Sequence, residues 1–294
     1  MRVLVVYNPT AGRRRLDRLR RFLDVLRSHG VEVLVSPTRH AGHAPELVRA
    51  AAGEGFTHVI AAGGDGTIGE VAAGLMDWPF VERPILGILP LGTANVLAHE
   101  IGVAFRPDRN AASLLAGRVA MLHPGLLQAG GQTRLFLQMA GVGFDAQVVH
   151  RLSLPLKRRI GRSAYAVQSC REVGRYPFPV LDVTLDGQRH AAFGVIVSKG
   201  RYYGGRYTIA PDATPHAPGF SVTLLDRGGA VFATKAALAL LADRGGALGG
   251  TRRIRAQRIE VASSMPVPVQ CDGDPAGHTP AVMTAAMESL RVIV

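Results

Sequence analysis

Residues Ala61 to Ala72 read AAGGDGTIGEVA. The apolar run His58–Ala62 leads into Gly63-Gly64-Asp65-Gly66-Thr67, and a helical pattern, TIGEVAAGLM, follows. Glycines let a backbone adopt positive φ and approach a ligand closely. A helix N-terminus adds free N–H groups and the positive end of a dipole, which together suit phosphate. Asp65 facing phosphates would be repelled unless it holds Mg²⁺ or takes a proton. Thr67 can cap the helix or donate to a phosphate oxygen. Taken alone, the same residues equally describe a tight strand-to-helix turn with Asp65 or Thr67 as a plain N-cap.

The surroundings of this turn predict an α/β domain. Apolar runs at Val3–Tyr7, Val31–Val35, His58–Ala62 and Ile85–Leu89 alternate with helical patterns such as Leu16, Leu19, Leu23 and Leu26. That alternation implies a parallel sheet with helices on both faces. Each strand ends in turn chemistry: Asn8 to Gly12, Ser36-Pro37-Thr38, Gly63 to Gly66, and Pro90 to Thr93. Ligands of such sheets bind outside the carboxyl ends of the strands, so these four loops form one composite site. Gly64, Gly66 and Gly69 match G-x-G-x-x-G, but the next strand ends in Pro90-Leu91-Gly92 without the carboxylate a dinucleotide fold requires.

After about His123 the texture changes to shorter β-patterned pieces: Arg134–Ala140, Leu181–Leu185, Ala191–Val197, Phe220–Leu225 and Ile254–Val261. Asp186-Gly187 is a hairpin turn signal between two of them. Helical patterns cover Ser163–Val173 and Val231–Ala242. The expectation is a mostly antiparallel β-sandwich, with domains at 1–122 and 123–286.

The formal net charge is +12, concentrated at Arg13–Arg21, Lys157–Arg162 (KRRIGR) and Arg252–Arg258 (RRIRAQR). Such patches suit polyanions, whether nucleic acid, anionic lipid or phosphorylated ligands. No nucleic-acid motif accompanies them, so nucleic acid is not an expected partner. Two cysteines, Cys170 and Cys271, cannot build a disulfide framework or a metal cluster, and the histidines lack metal-ligand spacing. MRVLVVYNP looks like a first strand, not a signal peptide, and the longest apolar helical run, Ala236–Ala242, is far too short for a membrane span. A cytoplasmic protein is the expectation.

GGDGT, together with Asn8-Pro9-Thr10-Ala11-Gly12 and LPLGTANVLAHEIG at Leu89–Gly102, resembles the lipid-kinase family of bacterial diacylglycerol kinases and sphingosine and ceramide kinases. Further matches are GVGFDA at Gly141–Ala146, YYGGRYTIAPDA at Tyr202–Ala213 and CDGD at Cys271–Asp274, in the family's order along nearly the whole chain. GGDGT alone is shared with NAD kinases. The resemblance implies a nucleotide-binding α/β domain and a β-sandwich-like domain, with 287–294 returning as a final strand to the first domain. It implies ATP on Asn8, Gly12, Thr38, Gly64, Asp65, Gly66, Thr67, Gly92, Thr93 and Asn95, the same loops chosen above. Phosphoryl transfer also needs Mg²⁺ and a base. By the resemblance Asp272 is the base, Asp274 the competing candidate, and Asp65 the metal or acceptor-side carboxylate.

The implied reaction moves the γ-phosphate of ATP to a hydroxyl of a diacylglycerol-like or sphingoid-like lipid. The basic segments, Leu152–Tyr165 among them, then suit peripheral contact with an anionic membrane, and the helix near Val231–Ala242 suits an acyl pocket. Oligomeric state is left open, a homodimer included. This chain departs from the bacterial pattern at Val96, where Asp usually follows the Asn of the third motif. It departs again at Asp274, shortened from Glu, and at Thr214–Gly219, which lacks the carboxylates of an accessory metal loop. No accessory metal is expected there. The alternatives are a soluble kinase such as an NAD kinase and a non-catalytic nucleotide or lipid sensor.

Overall fold

Val3–Val6, Val59–Ala62 and Leu86–Leu89 carry no polar side chain, and all of these residues are buried at the centre of a parallel sheet. Such runs have no face to offer water and need cover on both sides. In the computed structural model the residues described are 1–9, 12–153, 155–156, 160–161, 163–243 and 248–294, with backbone alone for 12–14 and 241. Thr10 and Ala11 of the first loop, and Lys157, Arg158, Arg159 and Arg162 of KRRIGR, lie outside the described residues.

The chain divides into two compact units, 1–123 with 287–294, and 124–286. The first unit holds β1 (Arg2–Tyr7), β2 (Glu32–Pro37), β3 (His58–Gly63), β4 (Ile85–Pro90), β5 (Val119–Leu122) and β20 (Leu290–Ile293), in the order β2-β1-β3-β4-β20-β5. Pairing is parallel except for β20 with β5. Helices α1 (Gly12–Ser28), α2 (His43–Ala50), α3 (Asp65–Met76), α4 (Val96–Glu100) and α5 (Pro107–Ala116) connect the strands. Leu19, Phe22, Leu23 and Leu26 recur at helical spacing on α1 and join Val3, Val5, Ile60 and Leu114 in one core cluster. Each such fully buried side chain stabilises by about 1.5–3 kcal/mol relative to exposure.

The second unit is a two-sheet antiparallel sandwich. One sheet runs β10 (Gln188–Ala192), β9 (Leu181–Leu185), β16 (Arg258–Ala262), β19 (Ala281–Ala285), β6 (Gly125–Ala129), β7 (Gln132–Phe136). The other runs β15 (Thr251–Ala256), β14 (Phe220–Leu225), β11 (Gly194–Ser198), β8 (Met139–Val142), β17 (Pro268–Cys271), β18 (Asp274–His278). Phe136 from one sheet stacks on Phe220 from the other, ring centroids 5.7 Å apart, within a shared core that includes Val195, Val222, Ile259 and Val261. Helix α6 (Phe144–Arg151) and helices Ser163–Glu172 and Ala230–Leu241 belong to this unit, as does the short pair β12 (Tyr202–Tyr203) with β13 (Tyr207–Thr208).

Three of the expected strands are each two strands in different sheets. Arg134–Ala140 breaks between β7 and β8, Ala191–Val197 between β10 and β11, and Ile254–Val261 between β15 and β16. Apolar residues continue through the first two crossings because both sheets bury the same core, whereas Ile254–Val261 alternates and its alternation slips by one residue at Gln257-Arg258. The backbone donors at two of the crossings are taken by aspartates. Asp272 accepts from the N–H of Leu137, Gln138 and Met139 at 2.7, 2.9 and 2.9 Å. Asp186 accepts from Gln257 N and Arg258 N at 3.0 and 2.8 Å.

Both aspartates begin an Asp-Gly hairpin turn with positive φ at each residue: 47° and 87° at Asp186-Gly187, 48° and 84° at Asp272-Gly273. This is the two-residue turn whose twist matches its flanking strands, here β9 to β10 and β17 to β18. The likeness extends to the aspartate's own N–H, which donates to Arg258 O at 3.0 Å for Asp186 and to Met139 O at 2.9 Å for Asp272. One device therefore appears twice, an Asp-Gly turn whose carboxylate satisfies the donors of a strand changing sheets.

Candidate active site

The loops at the carboxyl edge of the first unit are tied to one another through the backbone. Asn8 N donates to Ala62 O (3.1 Å), Thr38 N to Tyr7 O (2.8 Å), and Leu91 N and Gly92 N to Gly63 O (2.8 and 3.1 Å). The side chains add Asn8 Nδ2 to Thr67 Oγ1, 3.3 Å. Asn95, buried and with φ 48°, closes a ring on Gly92: its Oδ1 accepts from Gly92 N (2.9 Å) and its Nδ2 donates to Gly92 O (2.8 Å). Asn8, Thr38, Gly64 to Thr67, Gly92, Thr93 and Asn95 thus share one edge, with Gly12 beginning the helix after the first loop.

Gly64 and Gly92 meet backbone to backbone. A Cβ on Gly92 would lie 2.4 Å from Gly64 Cα and 2.6 Å from Asn95 Oδ1. No side chain fits there without parting the two loops. Gly92→Ala is expected to cost about 1–3 kcal/mol of stability through overpacking and, on the nucleotide placement that the resemblance implies, to weaken ATP binding at least about tenfold, since about 1.4 kcal/mol of loop distortion is enough for that factor. Calorimetric ATP titration beside thermal unfolding checks both. Unchanged ATP affinity would mean that these loops do not hold the nucleotide.

Asp65 stands in the first turn of α3, half-buried, and its Oδ1 accepts from Leu97 N at 3.4 Å. Burial pushes its carboxyl above the ordinary value, and backbone N–H groups of Leu97, Val96 and Asn95 oppose that rise. The residue bridges the GGDGT loop to the LGTAN loop, its carboxylate accepting from Asn95 and from the first-turn N–H groups of α4. Glu70, which sequence reasoning passed over, accepts from Gly42 N and Ala44 N at 2.9 and 3.4 Å. It supplies the missing partners at the start of α2. Its spacing from Gly42 gave no local signal for that contact.

The acid turn belongs to the second unit. Asp272 and Asp274 flank Gly273, and their surroundings differ. The Asp272 carboxylate is committed to three backbone donors, as the Asp186 carboxylate is to two at a turn with no proposed chemistry. Asp274 opens β18 and is exposed. Gly273 is held from both sides, its N–H donating to Gln270 Oε1 (3.0 Å) and its carbonyl accepting from Tyr165 Oη (3.5 Å). Cys271 is buried, its thiol pushed up to about 12 by desolvation.

The Thr214–Gly219 loop is gripped by a cation of the protein's own. Lys199, 1% exposed, donates from Nζ to Ala217 O (2.7 Å) and Gly219 O (2.9 Å), and burial lowers its pKa to about 8. Asp212 beside that loop accepts from Ser221 Oγ and faces Arg253 and Arg255. Among the described residues no group of three or more His, Cys, Asp or Glu side chains is arranged to hold a metal.

Residues 2–125 match the family model of the diacylglycerol kinase catalytic domain, and residues 138–294 match that of the YegS C-terminal NAD kinase beta sandwich-like domain. The chain is 29% identical over 299 residues to "Diacylglycerol kinase" of Bacillus subtilis, spanning all of this chain and 96% of that one. It is 32% identical over 266 residues to a "Probable lipid kinase YegS-like" protein of Xanthomonas oryzae pv. oryzae, covering 87% and 85% of the two chains. A solved diacylglycerol kinase structure from Bacillus anthracis shares the fold at TM-score 0.70 and 18% identity, over 99% of this chain and 96% of that one. Another Bacillus anthracis structure reaches TM-score 0.82 at 22% identity, over 99% and 94%.

Proposed function

The chain belongs to the lipid-kinase family defined by the diacylglycerol kinase catalytic domain and the YegS C-terminal domain, and from that membership we propose that it phosphorylates a diacylglycerol-like lipid with ATP. The observation that carries this reading is the glycine-on-glycine contact of Gly64 with Gly92 at the mouth of the α3 N-terminus. Beside it the α3 N-terminus offers a positive helix end, and the contact of two glycines leaves no side chain between that end and a phosphate.

In the proposed reaction the acceptor hydroxyl gives its proton to a carboxylate as its oxygen bonds to the γ-phosphorus, and the bond to the β,γ-bridging oxygen breaks to release ADP. The Asp274 carboxylate serves as the base, because Asp272 already accepts three backbone hydrogen bonds and a carboxylate so held is a poor proton acceptor. This reverses the preference drawn from the resemblance alone. Mg²⁺ bound with ATP offsets phosphate charge, and it is typically held by one or two carboxylates plus the phosphates themselves. Asp65, between the two phosphate-side loops, fits that requirement with one carboxylate.

Peripheral membrane contact forms part of the same reading. Helix Ala230–Leu241 (AVFATKAALALL) has no buried residue among those described, with Val231 71% and Leu238 61% exposed and Lys235 as its one charge. No described helix is long and apolar enough to cross a membrane. An apolar face carrying a cation suits the headgroup boundary of an anionic bilayer.

The test is ATP consumption on mixed micelles of diacylglycerol, sphingoid base or other lipid alcohols, with NAD as the soluble comparison and anionic phospholipid as a variable. Turnover on one lipid class, raised by anionic phospholipid, is expected. Turnover on NAD alone would overturn the lipid reading, and ATP binding with no turnover on any acceptor would favour a sensor.

A further inference from the structure

Asp145 lies in the GVGFDA motif, for which the reaction above has no use. Its Oδ2 accepts from Gln270 Nε2 at 3.1 Å, and Gln270 Oε1 accepts from Gly273 N at 3.0 Å. A carboxamide has one donor end and one acceptor end. A carboxylate at one side therefore forces the oxygen of Gln270 toward the turn. The contact is close on every side: a Cβ on Gly141 would lie 2.0 Å from Asp145 Oδ2 and 2.7 Å from Gln270 Nε2. We infer that Asp145 and Gln270 are positioning residues for Asp274, a two-link chain that fixes the orientation of the Asp272-Gly273 turn from beneath.

This inference rests on the reading of Asp274 as the base. It also explains a costly choice, since Asp145 is half-buried and desolvation raises its carboxyl to about 6, with Gln270 and the backbone opposing. The ionisable groups facing it from neighbouring elements are Tyr176 and Tyr203, whose hydroxyls burial keeps protonated. On the helix packed against α6, Glu172 is turned to Gln147 and Gln168, and Tyr165 to Gly273 O. On α6 itself His150 bonds Val269 O and stacks edge-on with His278 of β18. Asp272 and Asp274 occupy the turn itself. Among the described residues no lysine or arginine pairs with Asp145.

The sign follows from the raised carboxyl. The proton binds Asp145 as pH falls through about 6, the charged acceptor is lost, and the polarisation passed through Gln270 to the Gly273 amide weakens. In glycine-labelled protein the Gly273 amide resonance is expected to move with that midpoint and to stay still in Asp145→Asn. Gln270→Met is expected to lower kcat on the order of 10- to 100-fold with KM unchanged, the effect of a displaced catalytic group. Gln270→Glu places two carboxyls in contact that must share a proton, so kcat should fall as pH rises, a limb absent from Gln270→Met. A Gly273 amide that ignores the Asp145 titration overturns the inference. So does wild-type kcat in Gln270→Met while Asp274→Asn is inactive. An active Asp274→Asn would instead overturn the base assignment, and the Gly273 titration would still decide the contact.

Discussion

Asp274→Asn is expected to lower kcat on the order of 10²- to 10⁴-fold, the usual contribution of a positioned general base, with thermal unfolding left where it was. The side chain is exposed, and the amide is nearly isosteric with the carboxylate it replaces. Asp272→Asn should do something else. Its amide nitrogen would be turned on one of three backbone N–H groups that now point at oxygen. Hydrogen bonds to a charged group are worth about 1.5–3 kcal/mol each, and losing one acceptor while crowding a donor should cost about 3 kcal/mol. Asp186→Asn gives the calibration, because that residue makes the same kind of contact with two backbone N–H groups at another crossing, far along the sequence from any proposed chemistry. Equilibrium unfolding and initial rates on all three variants separate the roles. If Asp272→Asn kept its stability and lost its turnover while Asp274→Asn stayed active, the assignment would be reversed.

Arg83→Met is expected to destabilise the first unit by about 3 kcal/mol or more, because it leaves backbone carbonyls without their donor at about 1–3 kcal/mol each. Arg83 is 1% exposed and donates to Ser289 O (2.8 Å), Trp78 O (2.8 Å), Met76 O (3.4 Å) and the Glu288 carboxylate. Methionine fills comparable space and strands those carbonyls. Glu288 itself is half-exposed, so solvent screens the ion pair and Glu288→Gln should cost under about 1 kcal/mol. The contrast locates the effect in the carbonyls and not in the charge pair. Urea unfolding of both variants checks it, and an Arg83→Met protein within about 1 kcal/mol of wild type would show that the network is dispensable.

The first unit was largely legible because its strands are short, mostly apolar and closed by glycine or proline loops. Four runs matched β1 to β4, and the loops after them did form one edge. The sandwich was legible as a class only. Its crossings at Leu137-Gln138 and Phe193 occur inside largely apolar runs and that at Gln257 inside an alternating one, and what permits two of the three is an aspartate remote in the sequence. Asp-Gly signalled a turn at both sites, yet nothing local says that its carboxylate is spent on another strand. The same limit hid Arg83, whose partners lie both before it and more than two hundred residues after it. It also hid Asn95, which reads as a pocket residue and is equally the latch that shapes Gly92.

β20 lies between β4 and β5, parallel to the first and antiparallel to the second, and it follows the whole sandwich in sequence. During synthesis β1 to β4 emerge early with the β4 edge open, and β5 has no neighbour until the whole sandwich has left the ribosome. The first unit is therefore interrupted by the sandwich and closed only after it, and that closing step carries the sequence separation that slows folding. An exposed apolar edge held open for that interval invites pairing with another chain. Yield of intact protein is for this reason expected to depend more on chaperone supply and translation rate than the stability of the finished fold would suggest.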